Sequence, residues 1–141
     1  MITFEQLESL WGHAPCFIRW ALGYETRDGY DNTKAKGPEK YPEVTKATAR
    51  AVMFLLEKKL FVQYTWCPWY CTDLRGSDFR RFRESKGLST SEMAYLLGVS
   101  RHGNYLKTER GNNPGRTRAT LSALKFMSGK GVFEEYLEGV Q

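Results

Sequence analysis

The sequence predicts an all-α chain of two related helix-turn-helix lobes in tandem, joined by an aromatic linker. Three observations carry this. Apolar residues recur at spacings of three, four and seven, the signature of amphipathic helices. Strand-like alternation is sparse, and its only example is "LFVQYTW", where helix competes. The stretch "TKATARAVMFLLEKKLFVQY", Thr45 to Tyr64, also returns as "TRATLSALKFMSGKGVFEEY", Thr117 to Tyr136.

Shifting the chain by 72 superposes Thr45 on Thr117, Ala47 on Ala119, Thr48 on Thr120, Ala51 on Ala123, Phe54 on Phe126, Phe61 on Phe133 and Tyr64 on Tyr136. Upstream the shift becomes 75 and superposes Phe4 on Phe79, Gly12 on Gly87, Leu22-Gly23 on Leu97-Gly98, Tyr30 on Tyr105 and Thr33 on Thr108. The change falls in "KGPEKYPEV", a Pro- and Gly-marked loop where a length change costs little. Matching glycines mark turns rather than faces, so shared amphipathic composition does not explain the pattern. The expected organisation is a first lobe over 1–66, a linker over 67–77 containing "WCPWYCTDLRGS", and a second lobe over 78–141.

The second lobe reads more clearly. "SDFRRFRESKG" predicts a helix capped by Ser77 or Asp78 and ending at Gly87, with Arg80, Arg81 and Arg83 on a solvated face. "STSEMAYLLG" predicts a helix capped by Ser89, Thr90 or Ser91, with Met93, Leu96 and Leu97 inward. Gly98 stands where the chain must reverse and favours positive φ. Ala94 is small where two helices meet closely, Val99 fills their crotch, and Ser100 caps the helix within "VSRHGNYLKTERG". The loop "NNPGR", the repeat helix from Thr117 and a last helix "VFEEYLEGV" complete the lobe.

"FRRFRESKGLSTSEMAYLLGVSR…ERG" resembles the λ-repressor/Cro-type (XRE family) DNA-binding helix-turn-helix, over about 78–128 directly and over 3–57 only through the repeat. Three departures stand out: the apolar residue that the family places near Asn104 is replaced in that role by Tyr105, Gly98 to Gly111 is about one residue longer than usual, and Gly103 sits inside the recognition helix. A glycine there costs about 1 kcal/mol relative to alanine, so that helix is expected to bend or to start late. The resemblance implies a recognition helix in the major groove, with Ser100, Arg101, His102, Asn104, Tyr105 and Lys107 at the DNA. Arg101 suits guanine and Asn104 suits adenine. Thr90 and Ser91 are expected on phosphate, and Arg116, Thr117 and Arg118 at another helix start form a second clamp. In the first lobe Thr26, Arg27, Asn32, Lys34 and Lys36 are the candidate contacts, among the carboxylates Glu25, Asp28 and Asp31.

Charge agrees with a polyanionic partner. The chain carries 21 Lys and Arg against 16 Asp and Glu, net +5. The excess is uneven: Arg75 to Lys130 holds twelve basic and four acidic residues, whereas residues 1 to 72 hold nine and eight. No apolar run approaches the roughly 20 residues of a membrane span. The opening "MITFEQLESLWG" lacks the basic and apolar regions of a signal peptide. Three cysteines cannot all pair, so reduced thiols in a cytoplasm are expected.

The expected function is sequence-specific binding of double-stranded DNA by a bacterial or phage regulator, most simply a repressor. No cofactor and no enzymatic activity are expected, because the two histidines lie far apart without triad partners and no phosphate loop precedes a lysine. The alternative is a helix-turn-helix-derived protein-binding module, such as a phage-encoded inhibitor of a host or defence complex, using the first lobe or the aromatic residues Trp66, Trp69 and Tyr70. A homodimer through one lobe is compatible with either. His13, Cys16, Cys67 and Cys71 form a chemically sensible but oddly spaced zinc set.

Overall fold

The structure, a computed structural model, describes residues 1–66, 74–100, 102–111 and 115–140. Among these residues it is all-helical, with no strand. The first half runs α1 (Phe4–Trp11), α2 (Cys16–Ala21), α3 (Arg27–Lys36), a 3-10 turn (Pro38–Lys40), α4 (Glu43–Glu57) and α5 (Phe61–Thr65). The second half runs α6 (Gly76–Ser85), α7 (Thr90–Leu97), α8 (His102–Arg110), α9 (Thr117–Gly129) and α10 (Phe133–Val140). "LFVQYTW" therefore contributes the short helix α5. Three pairs of helix ends keep the sequence shifts, and the others fall within about three residues of them. α3 and α8 begin 75 residues apart, α4 and α9 end 72 apart, and α5 and α10 begin 72 apart.

Local chemistry sets the boundaries. Thr3 caps α1 by accepting from Gln6 N–H at 3.0 Å while Gln6 accepts from Thr3 N–H at 2.8 Å. Ser89 and Glu92 form the same reciprocal box at α7, at 3.1 and 2.9 Å. The start of α6 differs from expectation. The helix opens at Gly76, and Asp78 is its third residue, accepting from Arg75 N–H at 2.7 Å rather than capping. The reason is a close approach: a Cβ on Gly76 would stand 2.3 Å from the Thr108 carbonyl oxygen on α8. Gly76 and Ser77 thus belong to a helix instead of the linker.

The core centres on α4 and α9, which pack against each other. Thr48 and Thr120, both fully buried, meet there with their hydroxyl oxygens 2.6 Å apart. Thr48 spends its own proton on the Val44 carbonyl at 2.9 Å, so Thr120 donates to Thr48. Around this bond the contacts come in matched pairs. Phe54 meets Tyr136 and Phe126 meets Tyr64, each with ring centroids 5.1 Å apart. A Cβ on Gly98 would touch the Ala47 Cβ at 3.0 Å, and one on Gly23 would touch the Ala119 Cβ at 3.1 Å.

Within each half a polar triad ties the first helix to the third. Glu8 of α1 accepts from the Tyr30 hydroxyl at 2.6 Å and from Lys34 at 2.9 Å. Arg83 of α6 donates to Glu109 at 2.7 Å, and the Tyr105 hydroxyl donates to the same carboxylate oxygen at 2.7 Å. The shift of 75 places Glu8 on Arg83, Tyr30 on Tyr105 and Lys34 on Glu109, so the two triads match with their charges exchanged. Arg83, expected on a solvated face, is only 17% exposed because it serves this pair, whereas Arg80 and Arg81 are exposed.

Glu109→Ala should cost about 2–3 kcal/mol in urea unfolding, since it strands a half-buried guanidinium. The exchange Arg83→Glu with Glu109→Lys should recover most of that loss by copying the first half, and a double variant no more stable than its worse single would refute the equivalence. Gly98→Ala should cost about 3 kcal/mol or more, because φ is +72° and the new Cβ would lie 2.3 Å from the Glu43 carbonyl oxygen. Gly87→Ala, at φ +67° with open space around it, should cost only about 1–2 kcal/mol.

Candidate nucleic-acid interface

The site is built on α7, the turn at Gly98 and α8. Ser89 closes the start of α7, and Met93, Ala94, Leu96 and Leu97 bury its inner face. The chain then reverses through Gly98 in the left-handed conformation, which a side chain would resist. Val99, half-buried, packs against the core as expected of the crotch residue. α8 begins at His102 and takes Gly103 into its first turn, where the glycine faces open space.

The expected contact residues divide into four groups. Ser91, Ser100, Asn104 and Lys107 are exposed, and Ser100 borders a cleft of about 510 Å³ between α4 and the α7–α8 turn. Thr90 is half-buried. Arg101 and the side chain of His102 lie outside the described residues, as do Cys67, Cys71, Trp69 and Tyr70. Tyr105 is a correction: it is fully buried, and its hydroxyl serves Glu109, so it anchors α8 to α6 and does not reach the surface. The second clamp is partly corrected. Thr117 is 6% exposed at the start of α9, inside the core. Arg116 is exposed but stacks over the Tyr24 ring of the first half at 4.3 Å. Arg118 is half-buried and donates to the Gly115 carbonyl at 3.3 Å.

The first half carries a different surface. Thr26 caps α3 by accepting from Gly29 N–H at 3.1 Å. Arg27 pairs with Asp31 at 3.5 Å, both largely exposed. Lys34 is a correction: Glu8 holds it, and that hydrogen bond raises its pKa above the ordinary lysine value. Asn32 and Lys36 are exposed, and so are Glu25, Asp28 and Asp31. On α8, by contrast, the single carboxylate is Glu109, turned inward onto Arg83 and Tyr105, while Lys107 and Arg110 remain exposed. His13 and Cys16 of the zinc set are both exposed. Among the described residues no three His, Cys, Asp or Glu side chains are placed to hold a metal ion, and no helix is long and apolar enough to cross a membrane.

Sequence reasoning missed the two triads. A signal was present, since the shift of 75 exchanges acid for base at two positions at once, 26 residues apart in each half. Compared with protein-family models, curated proteins and solved structures, the chain matches none.

The triads make the fold sensitive to alkali. Burial, reinforced by a hydrogen bond to a carboxylate, pushes the Tyr105 and Tyr30 hydroxyls well above the ordinary tyrosine value. The folded state holds these protons more tightly than the unfolded chain, where they leave near pH 10. Stability should therefore be complete below about pH 10 and fall as pH rises further. Urea midpoints measured between about pH 9 and 11.5 should show the fall, and Tyr105→Phe should lessen it while leaving the share of Tyr30. A midpoint independent of pH across that range would refute the assignment.

Proposed function

We propose that the chain is a sequence-specific double-stranded DNA-binding regulator, most simply a bacterial or phage repressor acting in the cytoplasm by occupying its site. On this reading the halves are two copies of one λ-repressor-like helix-turn-helix lobe joined by the aromatic linker. The repeated sequence, the matched helix ends and the charge-exchanged triads support the duplication. The observation that carries the function is the surface of α8. Asn104, Lys107 and Arg110 face solvent, and the helix's one carboxylate is withdrawn into the core pair with Arg83. Such a surface suits a groove lined by phosphates.

In this mechanism α8 enters the major groove, with Asn104 at a base edge and Lys107 at phosphate. The exposed start of α7 at Ser91 meets the backbone. Arg116 adds a cation beside the turn of the first half, and exclusion of polymerase follows from occupancy. The first half supports without reading, since α3 presents Asp28 and Asp31 where α8 has Gly103 and Leu106. The alternative, a protein-binding module, gains from one observation: apolar side chains stand exposed on the first half.

The test is selection of bound duplexes from a random library at about 150 mM salt, followed by titration at several salt concentrations. Asn104→Ala should relax preference at one base pair by about tenfold. Lys107→Ala should weaken all sequences alike and lower the salt slope by about one. Arg27→Ala should change neither. Absence of any enriched sequence would sink the regulator reading.

A further inference from the structure

The shifts that match the two halves also compare their surfaces, and one face differs sharply. Leu10, Phe17, Val62 and Trp66 of the first half are 56%, 38%, 52% and 81% exposed. Their matched positions in the second half are Ser85, Glu92, Glu134 and Glu138, also exposed. The same helices at the same places thus accept polar or charged side chains, so packing does not require the apolar ones. Trp11 is a separate case. It packs edge-on against Phe61 at 4.8 Å, and its match, Lys86, lies over the matching Phe133 ring at 5.5 Å. Covering that ring is a structural duty that either side chain performs. Trp11 also meets Phe17 at 5.7 Å, so one line of rings runs from Phe17 on α2 through Trp11 to Phe61 on α5, next in sequence to Val62. Val62 and Trp66, four residues apart, share one side of α5.

We propose that this face binds a second copy of the chain, giving a two-fold dimer through the first halves. The dimer rests on the apolar face alone; its use, the presentation of two α8 helices, rests on the DNA-binding reading above. Size supports the assignment. With roughly 150–250 Å² per aromatic side chain, these residues leave on the order of 400 Å² of apolar surface in water. A stable interface takes about 800 Å² from each partner, somewhat over half of it apolar, so the patch supplies the apolar centre of one. Charge selects the occupant. A two-fold interface sets a patch against itself, and an uncharged apolar patch is complementary to its own copy. Residues 1 to 72 carry nine basic and eight acidic groups, so two first halves approach without repulsion. The stretch from Arg75 to Lys130, with twelve and four, repels its own copy and is left outward for a polyanion.

Sedimentation velocity without DNA, over protein concentrations from about 1 to about 100 μM, tests the dimer directly. The wild-type chain should pass reversibly from monomer to dimer. A triple variant, Phe17→Glu, Val62→Glu and Trp66→Glu, transfers the side chains of the matched second-half positions. It should remain monomeric throughout, with unchanged helical circular dichroism and melting. Phe17→Glu lies in the first turn of α2, where a carboxylate suits the helix dipole. A wild-type chain that stays monomeric to the highest concentration would overturn the proposal, and so would a triple variant that dimerises like wild type. A selected duplex then separates the two readings. Wild type should protect two half-sites, and the triple variant should bind at least tenfold more weakly. A dimer that selects no sequence would sink the DNA reading and leave this interface standing.

Discussion

The rest of the molecule depends on the close contact of α4 with α9, marked by one buried hydrogen bond between Thr48 and Thr120. Two buried hydroxyls facing each other would be costly unless both were satisfied. They are, because Thr48 directs its proton to its own helix and receives one from Thr120. Ala47, Ala51, Ala119 and Ala123 are small and buried beside them, which lets the helices come close. The same closeness reaches outward to the turns. Gly98 has no room for a side chain against α4, and Gly23 has little against the start of α9. The turn that leads into each third helix is therefore pinned by the opposite half. The position of α8 is not a property of its own half alone, which is why a change in α4 would be felt there.

The charge-exchanged triads complete this positioning from the other end. Tyr105, Glu109 and Arg83 hold α8 to α6, and Tyr30, Lys34 and Glu8 hold α3 to α1. In each case a tyrosine hydroxyl and a cation converge on one half-buried carboxylate. Such a pair adds less to stability than its geometry suggests, because desolvation offsets much of the attraction. What it does supply is orientation. On α8 it also removes the helix's only carboxylate from the surface, so one interaction both fixes the helix and leaves its outer face cationic. On α3 the inward charge is Lys34, and the acids stay outside.

Most of the helical framework was legible in the sequence, for physical reasons that differ by element. α7 announces itself by its capping box and by Gly98, and α9 by the 72-residue echo of α4. At the start of α6, Ser77 and Asp78 look like caps, yet the helix opens at Gly76. What fixes that helix start is instead the absence of a side chain on Gly76, a long-range constraint that no local pattern records. Tyr105 reads as a DNA contact because it lies within the helix expected to enter the groove. Its burial depends on which side of α8 faces α6, and the inserted glycine at 103 blurs that phase. Thr117 and Lys34 fail for a related reason: polar residues near helix ends read as surface unless a partner distant in sequence is known. The exposure of Asn104 and Lys107 was legible because charge and polarity on one helical face need no partner to be seen. The matched triads could have been found by asking which superposed positions exchange charge together.

The asymmetry between the halves bears on how two copies of one lobe would share a task. If the halves are such copies, their surfaces are free to differ, because the α4–α9 contact lies inside and does not depend on them. The second half keeps an α8 surface that favours a polyanion. The first half sets Glu25, Asp28 and Asp31 around α3, a surface that repels one, and exposes apolar side chains where its match exposes a serine and three carboxylates. Neither feature is needed for folding, since the other half folds with the opposite choice at the same places. The two changes also reinforce each other. On the DNA-binding proposal, a lobe that does not touch phosphate loses nothing by being apolar elsewhere, and a near-neutral lobe is the better one to place against another protein surface. Arg116 stacked on Tyr24 joins the two regimes, setting a cation of the second half beside the acidic turn of the first. The internal contact thus fixes geometry, and the surfaces around it differ: cationic on α8 of the second half, acidic and apolar on the first.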